Sequence, residues 1–317
     1  MQSSISTHRS QKFESISYLM DMVETRMIES VSANRSRISK SATGALEAAA
    51  YHLAAGGQRV RAKIALHAGL ALGLSSSDAI AIAATVELMH NASLVHDDIQ
   101  DRDEMRRGQK AVWYRFGINI AICTGDLLLS AAYAALCDLE KPCALSSMIL
   151  LVHKRTAMAI DGQCADLTAD TFPLKDSASA ITRYQQIAMA KSGALLSLPI
   201  ELVLLASGYE EYLADARHAA EAFSVAYQVA DDLHDVQSDM CSDSAKDTLN
   251  IISVFKAAGC GDDSEDNAKK LGLDYIDLTI ELAKRLPKKA GAQLIDYAYQ
   301  LRDVFSEKKP EALIGEY

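Results

Sequence analysis

Proline is scarce in this chain: five residues, at 142, 173, 199, 287 and 310, with none in residues 1–141. Proline breaks helices, so its scarcity beside abundant alanine and leucine, with little β-branched alternation, points to an all-α protein. Aromatic residues make up only 6% of the chain, and the basic residues form no stripe with aromatics between them. With a net charge of −10 as well, nucleic acid is not the expected partner. The six cysteines (123, 137, 143, 164, 241 and 260) make no CxxC pair. In a chain of 317 residues they read as buried, reduced thiols of the cytoplasm rather than a disulfide framework. The first residues, MQSSISTHRSQKFES, lack the apolar core of a signal peptide. No uncharged run approaches the ~20 apolar residues of a membrane span. Residues 79–90 come nearest, bounded by Asp78 and entered by Glu87. The expectation is a cytoplasmic protein with no stable membrane insertion.

What the chain does have is helical periodicity. Phe13, Ile16, Met20, Val23 and Met27 mark one helix over 13–33, and 43–55 forms an alanine-rich helix stopped by Gly56-Gly57. Residues 62–73 make a third. Ser75-Ser76-Ser77-Asp78 then supplies an N-cap for a long helix running to about residue 101. The charged segment 102–110 predicts a loop. Further helices are expected at 117–137, 144–170, 177–190, 192–206, 210–237, 249–258, 265–285 and 290–306. The segments 239–247 and 259–266 read as polar loops.

Two of these helices carry acids of the same design, Asp97-Asp98-Ile99-Gln100-Asp101 and Asp231-Asp232-Leu233-His234-Asp235. In each DDxxD the first and last carboxylates stand one turn apart on one face. Such a pair can share Mg²⁺, an ion that takes oxygen ligands and keeps water and phosphate oxygens in its shell. A solvated acidic helix end is the plain alternative. The helix dipole opposes acids at a C terminus, so solvation explains the two clusters poorly. Cations lie nearby in sequence: Gln58-Arg59-Val60-Arg61 after the glycine pair, Arg106-Arg107 after the first cluster, Lys191-Ser192-Gly193, and Lys246 after the second cluster. Acids that hold metal and bases that hold oxyanions together describe a diphosphate site. Glu87-Leu88-Met89-His90 is an ExxH, but a di-iron bundle needs a second ExxH and two more glutamates, and the chain offers neither.

The full set of motifs resembles the trans-isoprenyl diphosphate synthases of the polyprenyl synthetase family. It comprises GGQRVRA (56–62), ELMHNASLVHDDIQDRDEMRRG (87–108), GDLLL (125–129), GQCADL (162–167), KSGAL (191–195), YQVADDLHD (227–235) and the Lys246-Asp247 pair. The resemblance implies a single isoprenoid synthase domain over 1–317, a helical bundle around a central cavity, and a homodimer. It implies that an allylic diphosphate ionises with the help of Mg²⁺, three ions per site, and is attacked by isopentenyl diphosphate. Asp97, Asp101 and Asp231 would be the chief metal ligands, supported by Asp98, Asp232 and Asp235. Arg106, Lys191 and Lys246 would hold the allylic diphosphate. Gln58, Arg61, His90 and Arg107 would hold isopentenyl diphosphate. Lys191, Ser192 and Gln228 would face the carbocation. The chain departs from the family pattern at Gln58, where lysine is usual, at Ala62 for proline, at Ser192 for threonine, and in offering only Lys246 where two lysines are usual. Small Ala92 and Ser93 beneath the first cluster, with Met89 a turn deeper, imply a product of about C15–C20. A class I terpene cyclase and a non-catalytic partner subunit are the competing readings.

Overall fold

The computed structural model describes residues 15–32, 44–140, 142–168, 177–239 and 250–306. Among them are thirteen α-helices: α1 (Ile16–Ser32), α2 (Ala45–Ala54), α3 (Val60–Leu72), α4 (Ser76–Gln100), α5 (Val112–Phe116), α6 (Ile118–Leu136), α7 (Leu145–Leu167), α8 (Ser177–Ala188), α9 (Ala194–Ser207), α10 (Leu213–Asp239), α11 (Ile251–Ala257), α12 (Ser264–Lys284) and α13 (Ala292–Ser306). The all-α expectation holds.

α4 is the axis of the bundle. From Asp78 to Ala92 every residue is buried, as expected of a helix that is apolar on all sides. It packs on α6 most extensively, and also on α3, α1 and α9. Ser75 caps it, its hydroxyl accepting from Asp78 N at 3.1 Å. One apolar cluster joins α1–α4, α6, α9, α10, α12 and α13 around Leu88, Leu128, Leu198 and Phe223. A smaller one joins α8, α10 and α11 through Tyr184, Val225, Val229 and Ile251.

The charged segment after α4 is more ordered than its composition suggests. Met105–Arg106 (β1) and Gln109–Lys110 (β2) pair as an antiparallel hairpin. Its turn residues, Arg107 at φ 51° and Gly108 at φ 71°, are both left-handed, the backbone that a tight hairpin turn requires. Between α8 and α9 the chain makes one π turn, Met189–Gly193. There Ala194 N–H reaches back five residues to Met189 O. Gly162 on α7 lies against it so closely that a Cβ there would strike the Lys191 and Ala190 backbone.

One sequence expectation needs correction. Cys123, Cys137, Cys143 and Cys164 are exposed, because Cys123 and Cys164 fall on outward faces of α6 and α7 and the other two lie in the connection between those helices, and Cys260 is half-buried; Cys241 lies outside the described residues. Two helical runs, Ile118–Leu136 and Ala178–Ser207, are long and apolar enough to cross a membrane by length and composition. The second is mostly buried within the bundle and serves as core.

Candidate active site

The first aspartate cluster stands at the C-terminal end of α4, and its three acids have three different surroundings. Asp98 is buried. Its Oδ1 accepts from Arg106 Nε at 2.8 Å and Nη2 at 2.6 Å, across from the hairpin. Burial raises Asp98, and the Arg106 hydrogen bond pulls it back. Asp97 is half-buried and open to the other side. Burial pushes its carboxyl up to about 6, with Asp101 and Asp98 adding repulsion against the pull of Lys191 and Arg106. Asp101 is exposed at the helix end. A desolvated carboxylate crowded by its own kind suits a hard dication. Among the described residues no three acidic, histidine or cysteine side chains converge into a complete metal cage.

The second cluster repeats the division of labour. Asp232 is buried on α10. Its Oδ2 accepts from Ile251 N at 2.8 Å and its Oδ1 from Gln228 Nε2 at 3.0 Å, tying α10 to the start of α11. Burial pushes it up to about 7, against those hydrogen bonds. Asp231 is half-buried. Gln228, expected to face the carbocation, spends its amide on Asp232. The Asp235 side chain and Lys246 lie outside the described residues. The structure thus ties Asp98 to Arg106 and Asp232 to Ile251 and Gln228, while Asp97 and Asp231 are half-buried and Asp101 is exposed.

Across from Asp97, the π turn presents Lys191 with half-buried Ser192 beside it. Lys191 Nζ donates to Asp166 Oδ2 on α7 at 2.6 Å. Burial works against its charge, but Asp166, Asp97 and Asp101 raise it overall.

Higher on α4 lies a second group of bases. Arg61 at the start of α3 is buried, as is His90 two turns above Asp97. Burial, then the charges of Arg61 and Arg107, hold His90 well below the usual histidine range, so it is neutral. Arg107 donates through Nη1 to Gly56 O and to Asn91 Oδ1, the latter at 3.3 Å. Its guanidinium lies where a Cβ on Gly57 would stand. Gln58 is half-buried in the same turn.

Two residues, His52 and Asn91, escaped the sequence reading as site members, while Asp166 lies in the GQCADL segment already read there as a motif. His52 is buried and held down to about 3 by burial, then by Arg107, Arg106 and Arg59. Asn91 anchors Arg107. Asp166 holds Lys191. The available signal was a polar Asn in an apolar run.

The sequence model of the Polyprenyl synthetase family matches residues 43–256. A geranylgeranyl pyrophosphate synthase of Geoglobus acetivorans is 33% identical over 225 residues, 67% of this chain and 69% of the relative. A (2E,6E)-farnesyl diphosphate synthase of Mycobacterium tuberculosis is 33% identical over 178 residues, 56% of this chain and only 48% of the relative. The solved geranylgeranyl pyrophosphate synthetase of Pyrococcus horikoshii superposes with a TM-score of 0.72 at 26% identity, over 90% of this chain and 95% of that one. The matched segment contains both aspartate helices and every cation described above, and the chain belongs to the polyprenyl synthetase family.

Proposed function

We propose that this chain joins isopentenyl diphosphate to an allylic prenyl diphosphate, with Mg²⁺ as cofactor at three ions per site and a product of about C15–C20. The observation that carries the reading is the presence of two separate groups of bases along α4, of which only one faces the aspartates. A cyclase ionises one diphosphate and has no use for the second group. Arg61, Arg107, Asn91 and neutral His90 suit a second oxyanion that stays intact.

In this reading Asp166 aims Lys191, and Asp98 aims Arg106, at the allylic diphosphate. Asp97, Asp101 and Asp231 would hold Mg²⁺, which when bound neutralises charge on the departing group. The allylic C–O bond breaks and its electron pair leaves with diphosphate. The isopentenyl double bond supplies the electrons of the new C–C bond, and a proton is lost. Ser192, beside Lys191 in the π turn, would face the cation. The small Ala92 and Ser93 below Asp97 leave room for the tail, while Met89 is buried deeper on the same helix. A homodimer belongs to the same reading, supported by the apolar outer face of α6, where Ile118 is 50% and Ile122 44% exposed. A cytoplasmic enzyme without membrane insertion completes it.

The test is incubation with labelled isopentenyl diphosphate and C5, C10 or C15 allylic diphosphates, with and without Mg²⁺, reading product length. Incorporation only with Mg²⁺ is expected. Allylic binding without any incorporation would overturn the synthase reading in favour of a cyclase.

A further inference from the structure

α3 begins under strain. Its N-cap is Arg59, left-handed at φ 53°, and it supplies no side-chain cap. The next basic residue, Arg61, sits in the first turn, where the helix dipole disfavours positive charge. The N–H groups of that turn need acceptors from elsewhere.

Glu87 provides one from α4. Its carboxylate is 1% exposed, and Oε1 accepts from Ala62 N at 2.9 Å. Oε2 lies 3.9 Å from Arg59 Nη1. Arg59 is tied further to Glu24 Oε1 at 2.6 Å and to Leu53 O at 3.2 Å. One carboxylate thus caps α3, lies beside the Arg59 charge at its start, and fixes α3 to the helix that carries His90 one turn on. Arg61 lies between Arg59 and Ala62, the two residues Glu87 meets. Arg61 and His90 are both buried, and after burial itself the Arg61 charge does most to hold His90 below the usual histidine range.

We propose that Glu87 is a positioning residue for isopentenyl diphosphate: by capping α3 and pairing with Arg59, it sets Arg61 against His90. The role rests on the synthase reading above. Glu87 touches no substrate and acts through Arg61. A misplaced cation there weakens one substrate and leaves the other alone, because the allylic side is held separately by Asp98 and Asp166.

The experiment measures KM for each substrate, kcat, and isopentenyl diphosphate binding by calorimetry, in the full chain and in Glu87→Gln, Glu87→Asp and Glu87→Ala. In Glu87→Ala and Glu87→Asp, KM for isopentenyl diphosphate is expected to rise about tenfold or more, with the allylic KM within about twofold. Glu87→Gln keeps an acceptor for Ala62 N and should recover part of the loss. Should Glu87→Ala not fold, the other two variants carry the comparison. Equal KM changes for both substrates, or lower melting temperature with both unchanged, overturns the proposal and makes Glu87 a stability residue. If the unaltered chain neither binds nor incorporates isopentenyl diphosphate, the synthase reading fails and this role falls with it; a working unaltered chain with unaffected variants sinks Glu87 alone.

Discussion

Asp98 and Asp97 are neighbours with opposite tasks. Asp98 turns inward and holds Arg106 by two hydrogen bonds to one oxygen; Asp97 turns to the open side. Asp98→Asn should therefore weaken the hold on Arg106 and raise KM for the allylic diphosphate about tenfold, leaving the Mg²⁺ requirement as it was. Asp97→Ala should abolish turnover. A Mg²⁺ titration of both variants checks the contrast, and an equal shift in metal dependence would make both acids ligands. The spacing of DDxxD makes these acids legible in the sequence as candidate metal ligands. Which acid turns to protein was not legible there, because the deciding partners, Arg106 and Ile251, lie 8 and 19 residues away and are placed by a hairpin and a loop. His52 was equally hidden, being one polar residue in an alanine-rich helix. Burial and three arginines hold it down to about 3 from 6.5. The unfolded chain takes up that proton first, so this contribution is complete above pH 6.5 and is lost as pH falls. Between pH 6.5 and 5 the loss is about 2 kcal/mol. Asp232, raised to about 7, runs the other way, costing stability as pH rises. The informative measurement is a difference: melting temperature should depend less on acid pH in His52→Gln than in the unaltered chain.

At the scale of elements, strong periodicity and clear stops made the helices readable. The expected 117–137 and 144–170 became Ile118–Leu136 and Leu145–Leu167, because their apolar stripes are long. Residues 102–110 were read as a loop and contain the hairpin, since two-residue strands carry no pattern of their own. α5, of five residues, is too short for a period to show. The π turn was read only as a break between two helices at 190 and 192. Yet these short pieces place the cations. The hairpin turn sends Arg107 over the bare face of Gly57, whose φ is +131°. A methyl there would meet the Arg107 guanidinium at 2.7 Å, and the backbone resists any side chain. Gly57→Ala should raise KM for isopentenyl diphosphate about tenfold while the allylic KM holds. Steady-state kinetics with each substrate varied in turn decides it.

For the molecule as a whole, the outward side of α6 is one of the apolar faces left uncovered among the described residues. Ile118 and Ile122 lie there, with Tyr114 of α5 at 44% exposure. A patch of this kind on a chain of net charge −10 marks an interface more readily than a wet surface. Ile118→Glu with Ile122→Glu should shift the mass in sedimentation equilibrium from two chains to one; a monomeric unaltered protein would refute the dimer. The central helix has a consequence for all substrates alike. His90 and Asp97 are seven residues apart on one unbroken helix, about 10 Å along its axis. The helix is continuous between the two and is held by buried packing from Asp78 to Ala92, so the interval is fixed by its own backbone hydrogen bonds. In the synthase reading the spacing between the two charged heads is then the same for a five-carbon partner and a fifteen-carbon one. The protein works as a fixed gauge for heads, and whatever selects among tails must be built further down α4, where the gauge does not reach.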